Sequence, residues 1–508
     1  MMGRRQQATP KLFYSHFDLN ERVRADNPLR AIRAAIDFDF VRPMVRPLYG
    51  VRGNESIDPS LLLKLMFILF YEQVPSERAL MSRMSERLDW LWFCGLDLDS
   101  KIPDHSVISK ARKRWGVEVF AEFFSRVLDQ CVGANLVDGK LVHVDSSIIA
   151  ANADKTKLQT ALRLACRKLY DRLEEDRQEP PPSREDSKAP VPAQPENSSQ
   201  SVVASDPAQK PAATQPEPGS LISPTDPDAR LTRKNGKTTL GYKDHRVVDD
   251  RCGIITATET TPAAVDDGSM LLGLLEEHEE NTGRKARDVA ADSAYGTGKN
   301  YQRLREDGVR PAIPHQNKNK VAGKFGRDQF RYEAAEDCYV CPAGQKLRRT
   351  GSRPERDHVE YRAGTKVCNA CPLRDQCTTG KIGRTFKRHV CQEAIDWADH
   401  LLPPWTRRWM MRRRRIRAEG SFADALRHGF KRARWRGLAK MTMQNLLIAA
   451  IQNVRKLLKR APKGRVASVL AASLLPWTKI TRIASRWAVR GLAAIFGDAV
   501  RMEFSYHA

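Results

Sequence analysis

Long apolar runs are missing from this chain of 508 residues. The richest stretches, Leu446 to Ile451 and Val466 to Leu475, fall well short of the ~20 apolar residues a membrane span needs. The start, Met1-Met2-Gly3-Arg4-Arg5-Gln6-Gln7, has no apolar segment behind it. No secretory signal is therefore expected, and the expected location is cytoplasmic. Acidic residues are also short, with 61 Asp and Glu against 86 Lys and Arg and a formal charge of +25. A surface this cationic favours a polyanionic partner, because it displaces the counterions condensed on nucleic acid. Solvated basic faces alone account for the same number. Aromatic residues are absent between Arg177 and Asp228, where twelve of the 29 prolines lie. That segment has too little apolar surface to offset the entropy of ordering, so it reads as a disordered linker.

What remains divides into a helical beginning and an alternating middle. Residues 1–130 read as a helical domain. Asp58-Pro59-Ser60 precedes a run from Leu61 to Phe70 that is apolar nearly all round, as in the central helix of a small bundle. Ser76 caps a helix bearing Leu80, Met84 and Leu88. Asp104-His105-Ser106 opens another, Val107 to Trp115, which carries Lys110, Arg112, Lys113 and Arg114. A helical set ending on a basic helix is compatible with helix-turn-helix DNA reading, with Lys110, Arg112 and Arg114 as candidate contacts. An amphipathic helix is expected near Leu158 to Leu173, before the linker at 177–228. Beyond it the chain reads as strands Gly241–Asp249 and Gly253–Thr261, a helix Ser269–His278, a strand ending on Asp292, a helix Asn300–Glu306 and a strand Arg310–Pro314. Such alternation predicts an α/β fold, a mixed sheet with helices on its faces.

Two carboxylates sit where burial is costly. Asp145 lies inside the apolar strand Leu141 to Asn152, and Asp292 ends Arg287 to Ala291 and runs into the turn at Gly296. An isolated charge there is expensive, so each is expected to pair with a cation or hold a metal. Glu419 opens the series Phe422, Ala423, Leu426, Phe430 after a run of arginines, and Arg415 lies four residues earlier. Arg415 is expected one turn back on the same side, where it keeps Glu419 ionised for metal or contacts a neighbouring DNA phosphate. Glu393, in Cys391 to Trp397, is the competing third acid; as a helix N-terminal residue it also has a plain dipole role. Two Asp and one Glu suit two hard Mg²⁺ (or Mn²⁺) ions for phosphodiester chemistry.

Ten cysteines in a cytoplasmic chain point to metal ligands or buried thiols sooner than disulfides. Cys338 and Cys341 form one C-x-x-C pair and Cys368 and Cys371 another, with Cys377 close behind. Four thiolates make a closed structural Zn²⁺ site, expected on Cys338, Cys341, Cys368 and Cys371, with Cys377 as spare or substitute. Cys94, Cys131, Cys166, Cys252 and Cys391 are scattered and read as small apolar fillers.

These motifs together resemble a family. Val144-Asp145-Ser146-Ser147, Ala291-Asp292-Ser293-Ala294-Tyr295-Gly296, and Glu419-Gly420-Ser421-Phe422 ahead of Arg434-Trp435-Arg436-Gly437-Leu438 resemble the three signatures of DDE-type bacterial insertion-sequence transposases. Pro103 to Ser106, Thr225 to Arg230, the cysteine insertion and Gln444 to Val454 fit one branch of that family. The resemblance implies a ribonuclease-H-like mixed-sheet core in three pieces (138–176, 229–335 and 381–458), with a small zinc-ribbon-like insertion at 336–380 and a basic tail at 459–508. It implies Mg²⁺-dependent hydrolysis at the ends of a mobile element, then attack of the freed 3′-hydroxyl on target DNA by at least a dimer. Arg412 and Leu426 stand where many relatives have Tyr and Lys, while Arg415 matches; Arg427 or Lys431 takes the place of that Lys. A nuclease of the same core, or an end-binding repressor without catalysis, remains open at this point. No His-x-His pair occurs, and no Tyr lies in a recognisable Arg-rich helical pocket, which disfavours other recombinase chemistries.

Overall fold

A computed structural model describes residues 1–3, 18–52, 54–160, 162–167, 169, 220–315, 323–353 and 357–460. Most of the expected linker and all but the first two residues of the expected tail lie outside the described residues, as does the end of the helix expected at Leu158 to Leu173. Of that helix, residues 162–167 are helical, and Gln159–Thr160 pairs instead with Leu221–Ile222.

The central sheet has six strands: β1 (Leu141–Ala150), β2 (Arg230–Lys234), β3 (Lys237–Asp249), β4 (Ile255–Pro262), β5 (Asp288–Ala290) and β6 (Arg310–Ala312). Strand β3 runs antiparallel to β1, β2 and β4, whereas β1, β5 and β6 are parallel to one another. The spatial order is β4-β3-β1-β5-β6, with β2 also on β3. The strands and helices read from the sequence appear in that order, with ends shifted by a few residues, except that the helix after Ser76 stops at Met84 and Leu88 opens a separate one, Leu88–Cys94. Strand β2 was not foreseen, because Arg-Leu-Thr-Arg-Lys is too polar to announce itself. The signal lay in Asn235-Gly236, both at positive φ (51° and 77°), a two-residue hairpin turn.

Side chains alternate across β1, and each face meets a different layer. Val142 and Val144 join Val247, Val289, Leu271, Tyr301 and Ile395 on the side covered by helices Leu271–Thr282, Gly298–Glu306 and Gln392–Leu401. Ile149, Tyr242, Val248 and Ile255 join the other layer, which contains the N-terminal helices and a 23-residue helix, Leu438–Arg460. The Pro59–Tyr71 helix has Pro at its first turn and Asp58 as N-cap, and eleven of its thirteen residues are buried.

The long helix is buried on nearly every side, so its polar residues must be paired. Asn453 accepts from the Ile255 N–H at 2.9 Å and donates to the Ile255 carbonyl at 2.8 Å. Asn445 donates to Thr260 Oγ1 at 2.8 Å. Gln452 accepts from Arg246 at 2.8 Å and donates to the Ser421 carbonyl at 2.7 Å. Arg246, fully buried, is paired with the equally buried Asp244 at 2.7 Å and stacks over Phe422 and Phe430.

A second, five-stranded antiparallel sheet forms from β7 (Arg331–Glu333), β8 (Cys338–Val340), β9 (Lys346–Arg353), β10 (His358–Arg362) and β11 (Thr385–His389). It spans more chain than the expected 336–380 insertion and closes on Phe330, Tyr339, Leu347, Tyr361 and Phe386.

Residues 220–228, grouped with the linker on composition, are built into the fold. Asp226 is fully buried; it accepts from the Tyr242 hydroxyl and, at 3.0 Å, from the Gly437 N–H. Asp228 accepts from the Leu438 N–H at 2.9 Å and so holds the start of the long helix. Asp226→Ala strands two donors and is expected to lower unfolding free energy by about 2–4 kcal/mol in urea titration. A neutral substitution would return this residue to the linker.

Candidate functional site

The parallel register of β1 and β5 decides which carboxylates meet. His143 pairs with Ala290, so continuing both chains by two residues brings Asp145 abreast of Asp292. Strand β5 ends before Asp292, which is free to turn: its Oδ1 accepts from the Ala294 N–H at 2.9 Å and caps the short helical turn Ser293–Tyr295. Asp145 has one hydrogen bond from the Ser146 N–H at 2.9 Å. Burial pushes its pKa up to about 6; the charges of Asp292 and Glu419 push the same way, against Arg414. The fully buried Tyr295 is likewise pushed well above the usual tyrosine range, by burial and then by Asp267, Asp145 and Asp292.

The third acid arrives on an irregular helix. Helix Pro404–Arg414 passes into a π-helical turn at Arg415–Glu419 and then into a short α-helix, Gly420–Ala425. The i→i+5 pattern of a π turn brings residues five apart onto one side, and such turns are frequent at functional sites. The partner of Glu419 is accordingly Arg414, not the expected Arg415. One Arg414 nitrogen lies 2.9 Å from Glu419 Oε1 and the other 3.2 Å from Asp145 Oδ2, so a single guanidinium spans both acids. Arg415 is exposed. The added residue also rotates the apolar face. Ala418, Ser421, Phe422, Ala425 and Phe430 are buried, while Ala423 and Leu426 of the expected stripe are exposed.

The run of arginines is dealt around this helix. Arg413 holds Asp250 through two bonds of 2.8 and 2.9 Å, and Asp250 also meets the buried His143 Nε2 at 2.8 Å. Arg417 donates to the Arg251 carbonyl at 3.1 Å, and Arg412 is exposed. The chain after the helix returns to β1: the Ala150 N–H donates to the Lys431 carbonyl at 3.0 Å, and the Ala433 N–H to the Ala150 carbonyl at 2.8 Å. Lys431 Nζ thereby reaches Ser147 Oγ at 2.8 Å, on the same face of β1 as Asp145. Glu393 is exposed in the first turn of its helix and is not among the charges acting on Asp145. Lys110, Arg114 and Arg427 are exposed. Arg112 is not available to DNA: it is buried, paired with Glu77 and stacked over Trp435 at 4.0 Å.

The thiols sort differently from their sequence pairs. Cys341, Cys368, Cys371 and Cys377 line one cavity of about 30 Å³ with Phe330, Leu347 and Ala363. Burial raises the Cys377 pKa, and the other three thiols raise it further, against Arg384. Cys338 does not line that cavity; it lies within β8, which ends at Val340. Its sulfur faces Glu333 Oε2 at 3.9 Å. Glu333, Glu336 and Cys338 make the one group of three close potential ligands found among the described residues, but Glu336 is exposed and bound to Lys346 at 2.7 Å. Cys341 instead begins the turn Cys341-Pro342-Ala343-Gly344, where its sulfur accepts from the Gln345 N–H at 3.3 Å. At Gly383, with φ of +89°, a Cβ would lie 2.8 Å from Cys368 Sγ, so only glycine leaves room for that thiol. Of the scattered cysteines, Cys94 and Cys131 are buried as expected, whereas Cys166 is exposed and Cys252 and Cys391 are half-buried.

No helix among the described residues is long and apolar enough to cross a membrane. Two stretches match known families: residues 17–114 match the transposase domain (DUF772), and residues 340–458 match the transposase DDE domain. The second stretch contains Glu419 and the thiol cavity; Asp145 and Asp292 lie before it. No curated protein matches the chain.

Proposed function

The chain belongs to the insertion-sequence DDE transposases, and from that premise we propose that Asp145, Asp292 and Glu419 are its catalytic carboxylates. The observation carrying this is geometric: the register of β1 and β5 sets Asp145 abreast of Asp292, and the Arg414 guanidinium spans Asp145 and Glu419. Three carboxylates from separate segments fit hard divalent cations, Mg²⁺ or Mn²⁺, which take oxygen ligands. When bound, two such ions supply Lewis-acid activation of the attacking and leaving oxygens of a phosphodiester. The strand order, antiparallel β4-β3-β1 continued by parallel β5 and β6, supports a ribonuclease-H-like core.

The chain's own residues position the DNA. Lys431 stands beside Ser147 on the catalytic face of β1, suited to a phosphate next to the cleaved bond. Arg415 and Arg427 are exposed on the same late segment, and Lys110 and Arg114 on the N-terminal basic helix. The reaction is hydrolysis at the ends of a mobile element followed by attack of the 3′-hydroxyl on target DNA, carried out by at least two copies of the chain.

Asp145→Ala, Asp292→Ala and Glu419→Gln are each expected to abolish cleavage of an element-end duplex while leaving its gel shift intact; Glu393→Gln is expected to cleave normally. Near-normal cleavage by any of the first three, with Mg²⁺ or Mn²⁺, removes that residue from the site.

For the thiols we propose one structural Zn²⁺ per chain on Cys341, Cys368, Cys371 and Cys377. The shared cavity, the N–H to sulfur bond at Cys341 and the glycine-only approach at Cys368 support this set. Metal analysis of protein prepared without chelator is expected to return about one zinc. Cys377→Ser is expected to lose it and Cys338→Ser to keep it; the reverse would restore Cys338 as the ligand.

A further inference from the structure

Arg414 occupies an unusual position for a buried cation. It is 8% exposed and spans Asp145 and Glu419, yet its Nε and one terminal nitrogen have no hydrogen-bond partner. Its contact with Asp145 is therefore an ion pair without hydrogen-bond alignment. A guanidinium settled for good in a protein interior has its N–H groups satisfied, since each unmet one costs free energy. Its neighbour Arg413 shows the settled arrangement, with three bonds to Asp250.

The oxygens that Arg414 contacts belong to two of the three carboxylates proposed above to hold divalent cations. A guanidinium on those oxygens offsets their charge and occupies one oxygen of each acid, so it weakens their hold on a cation. We propose that Arg414 is an internal latch. In the DNA-free chain it neutralises Asp145 and Glu419 and competes with divalent cation; when a DNA phosphate is presented, it transfers to that phosphate and frees the carboxylates. The π-helical turn is the device that makes this possible, because it sets Arg414 and Glu419 on one side of the helix with the sheet between Asp145 and Asp292 in reach. Metal binding and DNA binding are then coupled through one side chain. By linkage each strengthens the other, and the DNA-free protein holds its cation weakly.

This inference rests on the carboxylate assignment, and the test separates the two. Mn²⁺ binding to the zinc-loaded, DNA-free full chain is measured by the loss of the free-ion electron paramagnetic resonance signal. Arg414→Gln is expected to bind Mn²⁺ about tenfold more tightly than the unaltered chain, within the usual range of such couplings. Arg408→Gln, at an exposed position of the helix that carries Arg414, is expected to be unchanged. A short duplex DNA is expected to tighten Mn²⁺ binding by the unaltered chain but to have little effect on Arg414→Gln. Without metal, Arg414→Gln is expected to melt lower and to gain more from added Mn²⁺, because three acids are left facing one another. If Arg414→Gln does not fold, Arg414→Lys replaces it; its ammonium cannot span both acids, and a smaller tightening of the same sign is expected. Equal or weaker Mn²⁺ binding by the folded Arg414 variant overturns the latch. Asp145→Ala serves as the control: if it binds Mn²⁺ as the unaltered chain does, the carboxylate assignment itself fails.

Discussion

Like charges on neighbouring segments repel one another, and the centre of this protein is built around three acids, Asp145, Asp292 and Glu419, that we propose hold divalent cations. Asp145 is fixed by the middle of a strand, paired there with Arg246 of β3 and two residues past the last pairing with β5. Asp292 is placed by the parallel register and then turned by its own capping bond. Glu419 is delivered by a helix that departs from regular geometry at the point of delivery. The cost appears in the raised Asp145 pKa and in a buried arginine with unmet N–H groups. A site under this tension is suited to binding cations, which relieve it.

The surrounding structure resists that tension as one body. The N-terminal helices share their core with the sheet and the long final helix. His428, just after the Glu419 segment, meets the Phe70 carbonyl at 3.1 Å, and Arg434 reaches the Leu69 carbonyl at 3.0 Å and stacks over Phe70. Arg112 stacks over Trp435 from the same side. The N-terminal helical set therefore braces the catalytic segment as well as offering Lys110 and Arg114 to solvent. The Gln and Asn residues of the long helix complete the frame by tying it to β4 and to Ser421.

Much of this was legible in the sequence, for reasons that can be stated. The apolar run after Asp58, the alternation around Asp145 and the Gly turn after Asp292 each carry a period or a cap that burial alone explains. What was not legible depended on geometry finer than the pattern. Helical spacing assigned Arg415 to Glu419, because nothing in Arg412 to Arg417 announces a π turn, and among consecutive arginines one residue of slip changes the partner. The pair Cys338 and Cys341 reads as a ligand pair, but spacing does not tell that the strand ends between them, leaving Cys341 on the thiol cavity and Cys338 facing Glu333. Arg112 looked like a DNA contact because charge was counted without its buried partners Glu77 and Trp435. Asp226 looked like linker because composition averages over a window, whereas its two hydrogen bonds are single events.

The account depends most on one metal centre being shared by three distant segments. Fe²⁺ in place of Mg²⁺, with ascorbate and peroxide, generates hydroxyl radicals that cut the polypeptide next to the ion. Mapping the cuts on the zinc-loaded protein in the presence of duplex DNA tests the claim directly. Cuts clustered together at the segments around Asp145, Asp292 and Glu419, all suppressed by excess Mg²⁺, are expected. Cuts at only one of these segments, or cuts around Glu393 instead of Glu419, would contradict the account.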